Sequence, residues 1–244
     1  TTVTDWMAQE RERGITIVSA AITAFWDFNP SAGGSSVEKG HYRINLIDTP
    51  GHIDFTAEVE RSLRVLDGAL MVFDGRTGVE SQSETVWRQA DKYKVPRICV
   101  LNKLNLIGAD FDGSIKSIRE RLGANASPVT YPIGQEHDHR GVIDLIRLKA
   151  LTYKAIEDHQ LTEEEIPTDL LETAKKYRQE LIEKVSEFDD DTLTKYLEGV
   201  EPTDVEIKRA IRKGVISGKF FPIFGGDNRS AESQLLLDGV VEYL

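Results

Sequence analysis

Three short, mainly apolar runs that each include β-branched residues, Arg43–Ile47, Ala69–Phe73 and Arg97–Leu101, stand out from the hydrophobic pattern of the chain. Each is too short for a helix and closes on polar or glycine-containing turn residues, so the three predict buried parallel strands. Between them Phe55, Val59, Leu63 and Leu66 recur at three- and four-residue intervals, as do Thr85, Ala90 and Tyr93 less regularly, which predicts amphipathic helices. Strand alternating with helix implies an α/β fold built on a doubly wound, mainly parallel sheet. Upstream, Ile17–Phe28 is a further strand candidate. The Gly-Gly-Ser-Ser stretch after it predicts a loose hairpin and antiparallel pairing with the segment from Tyr42.

Beyond Gly123 the texture changes. Pro128, Pro132, Gly134 and Gly141 break up short apolar pieces, and the acidic run Glu163–Glu165 and Pro167 follow. This predicts an insertion over 124–218 with its own small core, dividing the main domain into 1–123 and 219–244. Within it Leu170, Ala174, Tyr177, Leu181, Val185 and Phe188 mark one face of a long helix. Thr203-Asp-Val-Glu206 is a capping box ahead of Ile207, Ala210 and Ile211, with Gly214 as the predicted stop. Phe220–Phe224 predicts a strand returning to the main sheet, and Leu235–Leu244 a closing helix with Leu236, Val240 and Tyr243 on one side.

Charge and cysteine content narrow the function classes. The 244 residues carry 30 Lys and Arg against 41 Asp and Glu, a net charge of −11, which argues against a simple basic nucleic-acid clamp. A single cysteine, Cys99, excludes an internal disulfide framework and a cysteine-based zinc site, and predicts a small buried hydrophobe. No apolar run approaches the roughly 18 residues of a membrane span, so no membrane partner is expected. His137-Asp138-His139 has alternating ligand types, but a solvated turn is the expectation.

The chemistry concentrates at strand ends. Asp48-Thr49-Pro50-Gly51-His52 follows Arg43–Ile47 directly. A carboxylate at a strand's carboxyl end can hold Mg²⁺, and a glycine lets a backbone N–H approach a terminal phosphate. Asn102-Lys103 follows Arg97–Leu101, where an amide and a long ammonium stem can grip a purine's edge and cover its face. Either turn alone is an ordinary turn; together, on two strands of one sheet, they point to a guanine-nucleotide site.

Gln9-Glu10-Arg11-Glu12-Arg13-Gly14-Ile15-Thr16-Ile17, Asp48 to Phe55, and Asn102-Lys103 with Ile107 to Phe111 together resemble the elongation factor G family of translational GTPases. Pro132-Ile133-Gly134 and Gly141 to Leu145 resemble that family's extra subdomain, so the likeness covers essentially the whole chain. The resemblance implies GTP as substrate and Mg²⁺ as cofactor. It implies that Thr16 and Asp48 serve the metal, that Gly51 senses the γ-phosphate, and that Ile15 belongs to an apolar gate. It implies that His52 is catalytic and positions the attacking water. Nucleotide binding falls to Asp48, Thr49, Pro50, Gly51, His52, Asn102, Lys103, Asn105 and Gly226. The implied partners are the ribosome, through its RNA and stalk proteins, and indirectly tRNA and mRNA. A monomer in a bacterial cytoplasm is expected, with an organelle matrix as the alternative location. A ribosome-binding paralogue of the recycling or protection type, with degenerate or absent GTPase activity, is the alternative function.

Three departures qualify the likeness. The 244 residues hold no Gly-x-x-x-x-Gly-Lys-[Ser/Thr], the loop that supplies most of the β-phosphate grip. An N-terminally incomplete domain is therefore expected, without the strand that sits between Arg43–Ile47 and Ala69–Phe73, unstable on its own and unable to bind GTP tightly. The base motif reads Asn102-Lys103-Leu104-Asn105 where the family has a final aspartate, which predicts weakened guanine selectivity and better tolerance of xanthine. Gly225-Gly226-Asp227-Asn228 replaces the family's Gly-Ser-Ala; Gly226 keeps the backbone contact, while Asp227 is expected to bring negative charge near the base.

Overall fold

The computed structural model describes residues 19–30, 34–49, 56–155, 160–227 and 229–244. Ile15, Thr16, Pro50, Gly51 and His52 lie outside the described residues.

Four parallel strands form the central sheet: β3 (Ala69–Asp74), β4 (Arg97–Asn102), β10 (Phe221–Gly225) and β5 (Ala126–Pro128), in the order β3-β4-β10-β5. Residue parity along the strands decides how it is wound. In β4, Ile98 and Val100 point to one core with Phe224 of β10, while Cys99 and Leu101 point to the other with Phe73 and Ile223. Both faces are therefore apolar, and helices cover both. One face takes α2 (Ser81–Lys92) and α3 (Phe111–Leu122) through Trp87, Phe111, Ile115 and Ile118. The opposite face takes α4 (Leu171–Ser186), α6 (Asp204–Ile216) and α7 (Ser233–Tyr243) through Leu181, Val185, Ile207, Ile211 and Tyr243. The expected α/β architecture with a parallel sheet is what the chain adopts.

The segment Arg43–Ile47 departs from expectation. It lies in β2 (Gly40–Asp48), which pairs antiparallel with β1 (Ala20–Phe28) in a separate two-stranded sheet. Its side chains alternate between half-buried and exposed, as the polar residues at His41, Arg43 and Asn45 require, so it is a one-faced strand and not a buried parallel one. The hairpin with Ile17–Phe28 was correctly expected, for the part that is described. Among the described residues β3 pairs only with β4. The other side of β3 faces a cleft of about 420 Å³ between Ile47, Asp48 and Thr49 on one wall and Leu70–Val72 on the other. α1 (Thr56–Leu63) contributes Val59 and Leu63 to that cleft.

Residues 130–164 build a second, antiparallel sheet in the order β6 (Thr130–Ile133), β7 (Gly141–Asp144), β8 (Lys149–Thr152) and β9 (Thr162–Glu164). It has a small core of Ile133, Ile143, Leu145 and Ala150, closed by Ala174 of α4. α4 thus serves two cores at once, and α5 (Asp190–Glu198) follows it. The capping box forms as expected: Thr203 N–H donates to Glu206 Oε2 at 2.7 Å, and Glu206 N–H donates to Thr203 Oγ1 at 3.4 Å. Gly214, however, does not stop α6, which runs to Ile216. A Cβ on Gly214 would come within 2.7 Å of Phe220 Cβ, so the glycine serves close packing inside the helix, and Gly218 at φ 68° makes the turn instead.

Candidate functional site

β3, β4 and β10 end side by side, and the chain leaves each of them at a polar residue or a glycine. Asp74 is in register with Asn102, and Gly225 with Leu101. Backbone bonds carry the ladder one step further: Gly75 N–H donates to Asn102 O at 2.8 Å and Gly226 N–H to Leu101 O at 3.0 Å. The carboxyl edge of a doubly wound sheet is where ligands of such folds bind, because the loops there diverge to opposite faces.

The turn after β4 is strained and well fastened. Lys103 has φ 66°, a left-handed conformation that costs a residue with a Cβ about 1–2 kcal/mol. Its N–H donates to Asn102 Oδ1 at 2.8 Å, and its ammonium reaches Asp74 Oδ2 at 3.0 Å. Asp74 also accepts from the backbone and the guanidinium of Arg76. The Arg76 bonds, followed by Lys103, hold the Asp74 carboxyl well below its ordinary value despite partial burial. Leu104 is buried, and a Cβ on Gly75 would lie 2.6 Å from it, so the glycine lets the two loops touch. Asn105 Oδ1 is buried without a hydrogen-bond partner.

The third loop brings Gly226 beside Leu104, whose N–H points to Gly226 O at 3.5 Å. Asp227 does not present a bare charge there. Its side chain is almost fully buried, and its carboxylate accepts from Arg229 N at 3.1 Å and from Arg229 Nε at 3.3 Å. The expected negative charge near the base is therefore partnered.

The structure thus gathers Asn102, Lys103, Asn105 and Gly226 at one edge of the sheet. Asp48 and Thr49 stand elsewhere, lining the cleft on the far side of β3, and neither Asn102 nor Lys103 borders that cleft. Among the described residues no three His, Cys, Asp or Glu side chains gather where they could hold a metal ion. That does not exclude the expected cation: Mg²⁺ commonly takes only one or two protein carboxylates and completes its shell with phosphate and water. Asp48, at a strand end on a cleft wall, suits such a donor set, and the orphaned Asn105 oxygen suits a donor on a ligand's edge.

Sequence reasoning missed Asp74, although it ends an apolar strand just as Asp48 and Asn102 do, a signal that could have found it. It also placed His139 in a solvated turn. His137 does sit in a short 3₁₀ turn, Glu136–Asp138, but the His139 side chain is fully buried and its Nε2 lies 2.9 Å from Glu232 Oε1. That partner is distant in sequence, and nothing local signals it.

Over residues 1–244 the sequence matches the family described as the elongation factor Tu GTP binding domain. The chain belongs to that family. Its similar relatives include elongation factor G 1 of Bdellovibrio bacteriovorus, 54% identical over 98% of this chain, and elongation factor G of Thermotoga maritima, 52% identical over all of it. This chain spans 33% of the length of each. A crystal structure of a protein from Thermus thermophilus superposes with a TM-score of 0.82 at 28% identity, covering 100% of this chain and 34% of that one. A GTP-binding family of α/β fold accords with a strand-end site of this shape.

Proposed function

We propose that this chain is the nucleotide-handling part of an elongation factor G-like GTPase, which hydrolyses GTP on the ribosome and couples that step to movement of tRNA and mRNA. One observation carries the reading: Asn102, Lys103 and Gly226 meet at the carboxyl edge of adjacent parallel strands in a chain that matches a GTP-binding family from end to end. In this reading the Asn102 carboxamide pairs with the purine edge, the Lys103 stem covers the ring, and Gly226 offers backbone to the base. Asp74 holds the Lys103 ammonium and so fixes the stem's course. Asp48 and Thr16 would hold Mg²⁺, which when bound offsets charge on the terminal phosphates. Thr49, Pro50 and Gly51 bind the nucleotide, and His52 orients the attacking water.

Asn105 weakens the preference for guanine, and within 124–218 the antiparallel sheet is the family's inserted subdomain, whereas β5 belongs to the central sheet and the faces of α4 and α6 pack on it. Ribosomal RNA and stalk proteins are its partners, a monomer its working form and a bacterial cytoplasm its location. The 244-residue polypeptide by itself binds GTP weakly, having no Gly-x-x-x-x-Gly-Lys-[Ser/Thr] among its residues.

Two measurements test this. In the protein as its gene encodes it, His52→Ala is expected to slow ribosome-stimulated GTP hydrolysis by about 100-fold or more while leaving GDP affinity within about threefold. An undiminished rate would remove His52 from the mechanism. Tight stoichiometric binding of a fluorescent GTP by the isolated 244 residues would overturn the claim of weak binding.

A further inference from the structure

The turn between β6 and β7 belongs to the antiparallel sheet, yet it touches both loops that flank the base site. Glu136, held at φ 50°, accepts from Gly108 N–H at 2.8 Å, in the loop that follows Lys103. Three residues on, His139 Nε2 meets Glu232 Oε1 at 2.9 Å. The other oxygen of Glu232 accepts from Asp227 N–H at 2.7 Å, in the loop that holds Gly226. His139 and Glu232 have side-chain exposures of 0% and 3%, so water cannot replace either partner. The carboxylate lies so close beneath the loop that a Cβ on Gly226 would stand 2.0 Å from Glu232 Oε2.

A buried carboxylate is costly unless both oxygens are satisfied. Here one is satisfied by His139 and the other by the loop backbone, so the histidine fixes where the carboxylate stands and the carboxylate fixes where the loop stands. We propose that His139 and Glu136 are positioning residues for base recognition, and that the Gln135–His139 turn braces both base loops from the second sheet. This rests on the reading of Asn102, Lys103 and Gly226 as the base site. It adds that the selectivity of this site depends on a turn outside the parallel sheet.

The test uses the protein as its gene encodes it and reads the ratio of ADP to GDP dissociation constants, together with hydrogen exchange at Gly108 and Asp227. His139→Leu leaves Glu232 buried with one oxygen unpaired and is expected to cut the GDP preference about tenfold, with faster exchange at Asp227. His139→Gln retains a donor for Glu232 and is expected to restore most of the preference. Glu136→Ala removes the acceptor for Gly108 N–H and is expected to speed exchange at Gly108 and cut the preference about threefold. If His139→Leu does not fold, His139→Gln and Glu136→Ala decide the matter. An unchanged preference in folded His139→Leu or in Glu136→Ala overturns the brace, provided Asn102→Ala abolishes the preference. If Asn102→Ala leaves the preference intact, the base site itself is misplaced and the reading beneath the proposal fails.

Discussion

Asn105 combines an unusual residue with an unusual environment. Its side-chain oxygen is buried without a partner, a condition that costs about 1–3 kcal/mol unless a ligand donor fills it. A carboxylate there would accept from two donors on a guanine edge, where a carboxamide offers one acceptor and one donor. Asn105→Asp is therefore expected to tighten GTP roughly 5- to 150-fold relative to XTP, the range that about 1–3 kcal/mol corresponds to. Competition of the two nucleotides against a fluorescent GDP measures it, and an unaltered ratio would show that residue 105 does not read the base. The place of Asn102 and Lys103 at a strand end was legible in sequence because strand ends and exposed turns announce themselves locally. The polar contacts behind them were not: His139 and Glu232 are separated by most of the second sheet and three helices, and a buried histidine looks like a surface one until its partner is known.

At the scale of elements, α5 and α6 are tied together by several polar side chains, Asp189 foremost, with Lys195–Glu206 and Arg209–Asp191 beside it. Asp189 caps α5 by accepting from Thr192 N–H at 3.2 Å, and it accepts from Arg209 at 2.8 and 2.9 Å and from Lys213 at 2.6 Å on α6. The Arg209 bonds first, then Lys213 and the Thr192 cap, hold its carboxyl far below the ordinary value, against the pull of burial. A carboxyl whose folded value is lowered contributes stability that is present above its unfolded value near 4 and is lost as the pH falls below it. Asp189→Asn keeps the cap and loses the charge. It is expected to cost about 1–2 kcal/mol at pH 7, discounted for partly exposed partners, and to lose less stability than the parent between pH 4 and pH 2 in urea melts. Equal acid sensitivity in both would remove Asp189 as the source. Sequence patterning succeeded for α4 and α6, whose apolar faces are long and capped. It passed over α3, where Gly113 and charged residues thin the stripe to Phe111, Ile115 and Ile118, and it passed over α5, where only Thr192 is buried. β9 is exposed throughout, so it carries no apolar signal at all.

Across the whole molecule, the β1–β2 hairpin is fastened to the far helix layer by a mixed apolar and polar contact. Phe28 is buried, and Trp26 Nε1–H donates to Asp238 Oδ1 of α7 at 2.8 Å. Lys208 bridges the same region, donating to Gly34 O and Glu242 Oε1 at 3.0 Å each. Burial pushes the Asp238 carboxyl up to about 6, with Glu242 adding to the rise and the Trp26 bond opposing it. Because the folded value is raised, the group favours the folded state most at pH below about 4, and that contribution is lost as the pH climbs through 6. Asp238→Asn keeps an acceptor for Trp26 and removes the buried charge. It is expected to raise stability by about 1–2 kcal/mol at pH 7.5, with the gain vanishing near pH 4, as thermal melts across that range will register. A gain independent of pH would point to packing and not to ionisation. None of the described helices is long and apolar enough to cross a membrane.

Cys99 sits at the middle of β4 between the two helix layers, wholly buried, and burial pushes its thiol up to about 12. The reactive thiolate is thus suppressed twice, by proton affinity and by access. An alkylating reagent will meet that sulfur only in molecules whose central sheet has come apart, so the pace of labelling becomes a clock for global opening, readable in a chain that offers the reagent no competing cysteine.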